Sequence, residues 1–312
     1  MKMSKSMVKI LVCLARNIES LDGLKKETGL SINRCSEVGT ELEKMGLAKK
    51  DRSRKGLSIR LADSVVADNF RKMYLSIPYM PYDKFLYGKK LEVLKTILYE
   101  EKGVHTIAKM TGLKERTVRE NLRALSNPPL LWKAGRKYIL SKKGYPLIYN
   151  FLDSLRKYTA ENKMILWKFN DEEVFKVWDI KLIKGSITGL NAFAGFGVEV
   201  MTVEYCCHVP ERKLSKNEIF IHGLLEVNEP RLLGIAIAFY LKNSLEKEDL
   251  GFLLSKYDLS GAFIELKKTI NEFTYNGKET IANEKIPSIT PREIGRILDI
   301  YGVKYVRKEK HN

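Results

Sequence analysis

Cysteine is scarce in this chain and shows no disulfide framework. The four cysteines are Cys13, Cys35, Cys206 and Cys207, in a chain of 312 residues. Cys13 and Cys35 fall at apolar helical positions, and the other two are adjacent in a segment of strand composition. Because this spacing does not fit a small cross-linked domain, we expect reduced thiols and a cytoplasmic protein.

Long apolar runs are missing as well. No stretch reaches the roughly 20 apolar residues that span a bilayer. The start, MKMSKSMVKILVCLARN, imitates a signal peptide only weakly, because Lys9 interrupts a short apolar run and no small-residue cleavage pattern follows Arg16. No segment sets a wide apolar face against a lysine-rich one. We therefore expect no membrane partner.

The sequence also lacks recognisable motifs for catalysis and for nucleotide or metal binding. Glycines punctuate residues 185–197, but neither G-x-G-x-x-G nor G-x-x-x-x-G-K-[ST] occurs. No D-x-D follows Gly185-Ser186 to hold a magnesium ion. Cys206, Cys207, His208 and His222 are the only group that suggests a metal site, and their spacing does not fit one. We expect no enzyme, no cofactor and no metal.

Positive charge is abundant but confined to one half. The net charge is +17. Residues 1–165 hold 34 Lys and Arg against 17 Asp and Glu, whereas residues 166–312 hold 21 of each. Clustered cations suit a polyanion, so the first half is expected to bind nucleic acid and the second half is not.

Residues 105–140 carry the clearest sequence pattern in the chain, with apolar stripes, a turn glycine and a row of arginines. Two apolar stripes with helical spacing run through them: Ile107, Met110 and Leu113, then Val118, Leu122 and Leu125. Gly112 stands between them, where a turn between helices requires a positive φ. Arg116, Arg119 and Arg123 fall on the face opposite the second stripe. Their planar donor groups suit guanine edges and phosphates, although such a face is also typical of a merely soluble surface helix.

The next residues, WKAGRKYIL, predict a hairpin centred on glycine that carries Lys133, Arg136 and Lys137. Residues 7–61 repeat the same skeleton 83 positions earlier. Thr28-Gly29-Leu30 corresponds to Thr111-Gly112-Leu113, and Leu14, Leu24, Leu42 and Leu47 correspond to Ile97, Ile107, Leu125 and Leu130. A repeat of this length indicates two copies of one fold. In the first copy we predict helices over 5–17, 20–28 and 31–45, and a hairpin over 47–61.

The two copies differ on the face that would meet DNA. The second copy presents arginines there, whereas the first presents small polar side chains and compensates with a basic hairpin. We expect the second copy to read bases and the first to contact mainly phosphates. The expected interface consists of Lys114, Arg116, Thr117, Arg119, Arg123, Lys133, Arg136 and Lys137, together with Asn33, Arg34, Ser36, Thr40, Lys50, Arg52, Arg54 and Lys55. A first copy that binds protein instead is the alternative.

TGLKERTVRENLRAL followed by WKAGRKYIL resembles the winged helix-turn-helix of prokaryotic, particularly archaeal, transcriptional regulators. A later block, GSITGLNAFAGFGVEVMT through ERKLSKNEIFIHGLL, resembles the C-terminal part of AbiEi-type antitoxin and regulator proteins. That second resemblance implies autorepression and a toxin partner, but it transfers no site residue. The chain departs from that family by carrying two winged helices.

The expected fold class is mainly α with small β wings: two tandem winged helix-turn-helix modules, then a mixed α/β, helix-rich C-terminal domain. The segments are 1–62 for the first module, 63–90 for a connector with Ser64 as helix N-cap, 91–163 for the second module with an exit helix, and 164–312 for the C-terminal domain. In the last segment we predict a strand near 164, a short helix that begins at Asp171 and runs into a strand, and a strand over 199–209. We also predict capping boxes at Ser215 and Thr290 and a buried apolar helix over 232–241.

The expected function is sequence-specific binding of double-stranded DNA by a transcriptional regulator, of the kind that includes antitoxin-like autorepressors. Two alternatives stay open: an interaction scaffold whose modules bind proteins, and a nucleic-acid-processing enzyme with its site in the neutral half. The C-terminal domain is expected to form a homodimer or hold a toxin-like protein partner, with a monomeric sensor domain as the alternative.

Overall fold

The chain divides into two units, residues 1–162 and residues 163–312. The computed structural model describes residues 3–53, 56–159, 163–179, 184–275 and 286–304. Helices predominate in these ranges and their strands form three small sheets, so the fold is mixed α/β. The division between the units lies one residue before the boundary expected from the sequence.

The first segment of the N-terminal unit has three helices, a hairpin and a fourth helix. These are α1 (Lys5–Ala15), α2 (Leu21–Thr28), α3 (Ile32–Lys44), β1 (Ala48–Ser53), β2 (Gly56–Leu61) and α4 (Val65–Ser76). A serine hydroxyl oxygen accepts a backbone N–H bond at the start of each helix: Ser4, Ser20, Ser31 and Ser64. The predicted cap at Ser64 is confirmed, and the predicted element bounds are correct to within two residues.

The second segment repeats this order. Its elements are α5 (Gly88–Thr96), β3 (Lys102–Gly103), α6 (Val104–Thr111), α7 (Glu115–Leu125), β4 (Leu131–Ala134), β5 (Lys137–Leu140) and α8 (Pro146–Lys157). The helices α5, α6 and α7 and the strand β4 each begin 83 residues after α1, α2, α3 and β1. Gly29 and Gly112 end α2 and α6 with φ of 74° and 67°. The positive φ predicted at Gly112 is therefore confirmed, and each glycine turns the chain into the next helix.

The exit helices α4 and α8 pack against each other and join both segments into one hydrophobic core. The rings of Phe70 and Phe151 meet there with centroids 5.3 Å apart. Residues of the connector also pack into this core. Tyr82 is buried, and its hydroxyl donates to the carbonyl oxygens of Met73 and Ile77 at 3.0 and 2.8 Å.

The C-terminal unit combines an antiparallel sheet with helices. Its elements are β6 (Met164–Phe169), β7 (Glu172–Val177), β8 (Ser186–Ile187), a 3₁₀ segment (Gly189–Phe196), β9 (Tyr205–Val209), α9 (Lys216–Leu225), α10 (Pro230–Lys242), α11 (Lys247–Lys256), α12 (Ser260–Tyr275) and α13 (Pro291–Ile300). The strand order is β6-β7-β9-β8. Residues 232–239 of α10 are all buried, whereas Tyr240 is half-buried and Leu241 is 37% exposed, so the predicted burial fails at the last two positions. The predicted capping boxes at Ser215 and Thr290 are confirmed. None of the described helices is long and apolar enough to cross a bilayer.

The helix predicted at Asp171 is wrong, because this segment forms β7. Asn170, with φ of 53°, reverses the chain so that Glu172 pairs with Phe169 of β6. Glu173 lies between two lysines, Lys163 and Lys168, each with an N–O distance of 2.6 Å. Burial alone would raise the pKa of Glu173, but hydrogen bonds from these lysines lower it. Acidic residues favour a helix start only where no strand partner competes for the backbone. The predicted strand over 199–209 is also shorter, since β9 begins at Tyr205.

Candidate nucleic-acid interface

Helix α7 separates its apolar and cationic side chains onto opposite faces. Val118, Leu122 and Leu125 are buried in the core. Arg116, Arg119 and Arg123 are exposed on the other face, over two turns of the helix. Because successive arginines are three or four residues apart, they lie along one face of the helix.

Two of these arginines are engaged with glutamates on their own helix. Arg116 Nε lies 3.1 Å from Glu120 Oε1, and Arg119 Nη2 lies 2.7 Å from Glu115 Oε2. His105 Nδ1 also contacts Glu115 at 3.2 Å, and the hydrogen bonds from His105 and then Arg119 lower the pKa of that carboxyl. Exposed pairs of this kind contribute little to stability. The guanidinium groups can therefore exchange these carboxylates for a stronger anionic ligand.

The N-terminus of α7 lacks the serine cap that α3 has. Lys114 occupies the N-cap position and is exposed, without a side-chain cap bond, whereas Ser31 accepts from the Arg34 amide in α3. A cation at this position is unfavourable for the helix dipole, whose N-terminal end is positive. A phosphate would be attracted both by this cation and by the uncapped backbone N–H groups of the first turn. Thr117 is half-buried, and its carbonyl oxygen accepts from Asn121 Nδ2 at 2.7 Å.

The second hairpin presents its three predicted cations to solvent. Lys133, Arg136 and Lys137 are exposed, and Gly135 makes the turn with φ of 59°. Lys133 Nζ lies 5.8 Å from the centre of the Tyr138 ring, and Lys137 Nζ lies 3.2 Å from Glu101 Oε1. Trp132 on β4 is 65% exposed. Sequence reasoning missed this tryptophan, although an aromatic residue beside Lys133 in a predicted hairpin was a usable signal.

In the first segment, a hairpin lysine reaches helix α3. Lys50 Nζ donates to Thr40 Oγ1 at 2.7 Å and to Ser36 Oγ at 3.0 Å. The structure therefore brings together three of the predicted residues. Asn33, Ser36 and Thr40 precede Arg116, Arg119 and Arg123 by 83 positions each, so the two faces occupy equivalent places.

Acidic residues compete with the cations of this first face. Arg34 Nη1 lies 2.9 Å from Glu37 Oε2 and 3.4 Å from Glu41 Oε1. Arg52 is exposed on β1. Arg54 and Lys55 lie outside the described residues. The first face is thus less cationic than the second, and Lys50 is placed at its centre.

The C-terminal unit contains a separate polar cluster that sequence reasoning reached only in part. The rings of His208 and His222 stack with centroids 5.5 Å apart, and the Tyr257 ring lies 4.8 Å from His222. His208 Nδ1 donates to the Pro210 carbonyl at 3.0 Å, and His222 Nδ1 contacts Thr188 Oγ1 at 2.7 Å. Both Nε2 atoms and the Tyr257 hydroxyl are buried and have no hydrogen-bond partner among the described residues.

Burial determines how this cluster titrates. It lowers the pKa of His222 well below its ordinary value, and it also lowers that of His208. Nearby, Arg212 Nη1 donates to Glu218 Oε2 at 3.0 Å. Burial alone would raise the pKa of Glu218, but bonds from Arg212 and the Ser215 amide lower it to about 2. Within the described ranges, no three His, Cys, Asp or Glu side chains are grouped as metal ligands.

No family model, no curated protein and no solved structure matches this chain.

Proposed function

We propose that this chain is a sequence-specific regulator of transcription that binds double-stranded DNA through two winged helix-turn-helix modules. The observation that carries the proposal is the arginine face of α7, which is exposed and followed directly by a cationic hairpin. The repeated order of three helices and a hairpin supports it, because both copies place an exposed polar helix face beside a hairpin.

In the proposed complex, α7 enters the major groove. Arg116, Arg119 and Arg123 then face base edges, where a guanidinium bonds both O6 and N7 of guanine. Lys133, Arg136 and Lys137 of the hairpin contact the flanking backbone. Phosphate contacts position the protein, and base contacts select the sequence.

The first module makes a more phosphate-dependent contact. Lys50, held by Thr40 and Ser36, carries the positive charge at the centre of that face. Arg52 lies on the same hairpin, and Asn33 on the helix is the side chain suited to adenine. Asn33, Ser36 and Thr40 stand where the second module has arginines, which supports this unequal division.

Salt dependence is the direct test of the proposal. Each phosphate neutralised adds about −0.9 to the slope of log K against log salt concentration. Replacing Lys133, Arg136 and Lys137 with alanine should therefore make the slope shallower by up to about 2.7 units. The matched control replaces three cations of the neutral half, Lys213, Lys216 and Lys247, and should leave the slope unchanged. If the parent chain bound duplex DNA without any salt dependence, the alternative of an interaction scaffold that binds proteins would be favoured instead.

The C-terminal unit is proposed to form a protein interface, either between two copies or with a toxin-like partner. Trp178 after β7 and Met201 and Val203 before β9 are 70%, 89% and 78% exposed. Trp178 directly follows Val177, which pairs with Tyr205, and Val203 and Met201 lie two and four residues before Tyr205 along the chain. Exposed apolar groups of this size are typical of interfaces.

Replacing Trp178, Met201 and Val203 with serine should convert a dimer of the full chain into a monomer, measured by light scattering at tens of micromolar. Ile264→Ser with Ile300→Ser is the control, since these side chains are also exposed in the same unit. The control should remain dimeric. A parent chain that is monomeric throughout would contradict self-association and leave the protein partner, to be sought by co-purification.

A further inference from the structure

The exit helices α4 and α8 are equivalent parts of the two segments, and they contact each other through equivalent residues. Asn69-Phe70 in α4 and Asn150-Phe151 in α8 are the same dipeptide, 81 positions apart. Asn69 Nδ2 donates to the Asn150 carbonyl oxygen at 3.3 Å, and the rings of Phe70 and Phe151 meet edge to face at 5.3 Å. Each residue therefore touches its own counterpart.

The two helices also run in opposite directions. Residues at the start of α4, Val65 and Val66, line the same groove as Ser154 and Lys157 near the end of α8. Equivalent helices that are antiparallel and in contact through equivalent residues are related by a two-fold axis between them, as at an isologous dimer interface. Here both halves of the interface belong to one chain.

Because each exit helix follows its own module in the same order along the chain, we take the two-fold relation of the exit helices to hold for the modules as well. Helices α3 and α7 begin 83 residues apart and each precedes its exit helix through a hairpin. Rotation about a two-fold axis reverses direction along a duplex, so two modules related in this way read opposite strands. This is the geometry by which symmetric dimers read palindromes, with half-sites one helical turn apart or a multiple of it.

We infer that a single copy of this chain recognises an inverted repeat whose two halves are unequal. The inference rests on the proposed DNA-binding function and identifies the class of duplex. The half read by α7 contains guanines, which suit Arg116 and Arg119, and the half read by α3 contains an adenine, which suits Asn33. One chain thus covers the whole site.

The test places a cleavage reagent on each module in turn. Glu37 of α3 and Glu120 of α7 are equivalent and exposed, and the described native cysteines are all buried. Glu37→Cys and Glu120→Cys, made separately in the full chain, can each be modified with an iron chelate that cuts nearby DNA. The duplex is the one that the unmodified chain selects from a random pool.

Each reagent is expected to cut one half of the inverted repeat only, and the two clusters of cuts should lie about 10 base pairs, or a multiple, apart. Cutting of both halves by each reagent would overturn the inference, because it would show that two chains share the site. A direct repeat, or cutting from Glu120→Cys alone, would overturn it as well while leaving DNA binding intact. Failure to select any duplex would instead reject the proposed function.

Discussion

Replacing Arg116, Arg119 and Arg123 together with alanine is expected to lower the affinity for the selected duplex at least about 100-fold. Each arginine that bonds a guanine contributes about 1–3 kcal/mol, and every 1.4 kcal/mol is a factor of ten. The variant should fold like the parent chain, since the removed side chains are exposed and their glutamate partners lie on the same helix. Fluorescence anisotropy on the selected duplex and on random duplex measures both affinity and preference.

The equivalent positions of the first module provide the matched control. Replacing Asn33, Ser36 and Thr40 with alanine should lower the affinity about tenfold, because one adenine contact is lost while Lys50, released from Ser36 and Thr40, keeps its charge for the phosphates. Each variant should lose its preference for particular bases in only one half of the selected site. The proposed difference between the modules would be contradicted if both triple variants lost the same affinity for the selected duplex. It would also be contradicted if the arginine variant lost as much affinity for random duplex as for the selected one.

Lowering the pH from 7 to 5 is expected to destabilise the C-terminal unit by about 2 kcal/mol for each histidine of the buried pair that stays unprotonated when folded. Burial holds the pKa of His222 and of His208 below 6.5 in the folded chain. Below pH 6.5 the unfolded chain therefore binds protons that the folded chain does not. The free energy of unfolding falls as pH falls, with a slope approaching 1.4 kcal/mol per pH unit for each group.

Two carboxyl groups of the same unit also make its stability depend on pH, but over another pH range or in the opposite direction. The stabilisation from Glu218, whose pKa is about 2, is lost only below 4.5. Burial raises the pKa of Glu226, so stability from that group increases as pH falls toward 4.5. Histidine variants are needed to separate these contributions.

Denaturant unfolding at several pH values, followed by tryptophan fluorescence, makes this measurement. Trp167 is buried, 4.4 Å from Tyr257 between ring centroids, and reports on the cluster in a Trp132→Phe, Trp178→Phe background. His222→Gln should reduce the dependence on pH between 6.5 and 5, whatever it does to stability at pH 7. His105→Gln, in the exposed pair with Glu115 of the other unit, is the control. An unchanged dependence in His222→Gln would contradict the assignment.

Local rules explain why much of the N-terminal unit could be predicted from its sequence. The left-handed conformations of Gly29 and Gly112 follow from the glycine itself, and the bounds of α2 and α3 follow from caps and an apolar stripe. Each of these features depends on residues within one or two turns. The same holds for the capping boxes at Ser215 and Thr290.

Predictions failed where distant residues decide the outcome. Glu172 and Glu173 resemble a helix start locally, but pairing with β6 and β9 makes them part of a strand. Sequence reasoning placed His208 and His222 in one group without the contact that makes them a pair, and it did not include Tyr257 at all. No local pattern contains that information, because Tyr257 is 35 residues beyond His222.

By itself, the sequence determined the repeat, the helices that compose it and the half of the chain that carries the positive charge, since each depends on spacing along the chain. Only the tertiary structure decided that Lys50 reaches Ser36 and Thr40, and that Asn69 meets Asn150 between the exit helices. These contacts join residues that are distant along the chain. They form because apolar faces such as those of Phe70 and Phe151 must be buried, and the chain fold determines which surfaces are available to bury them.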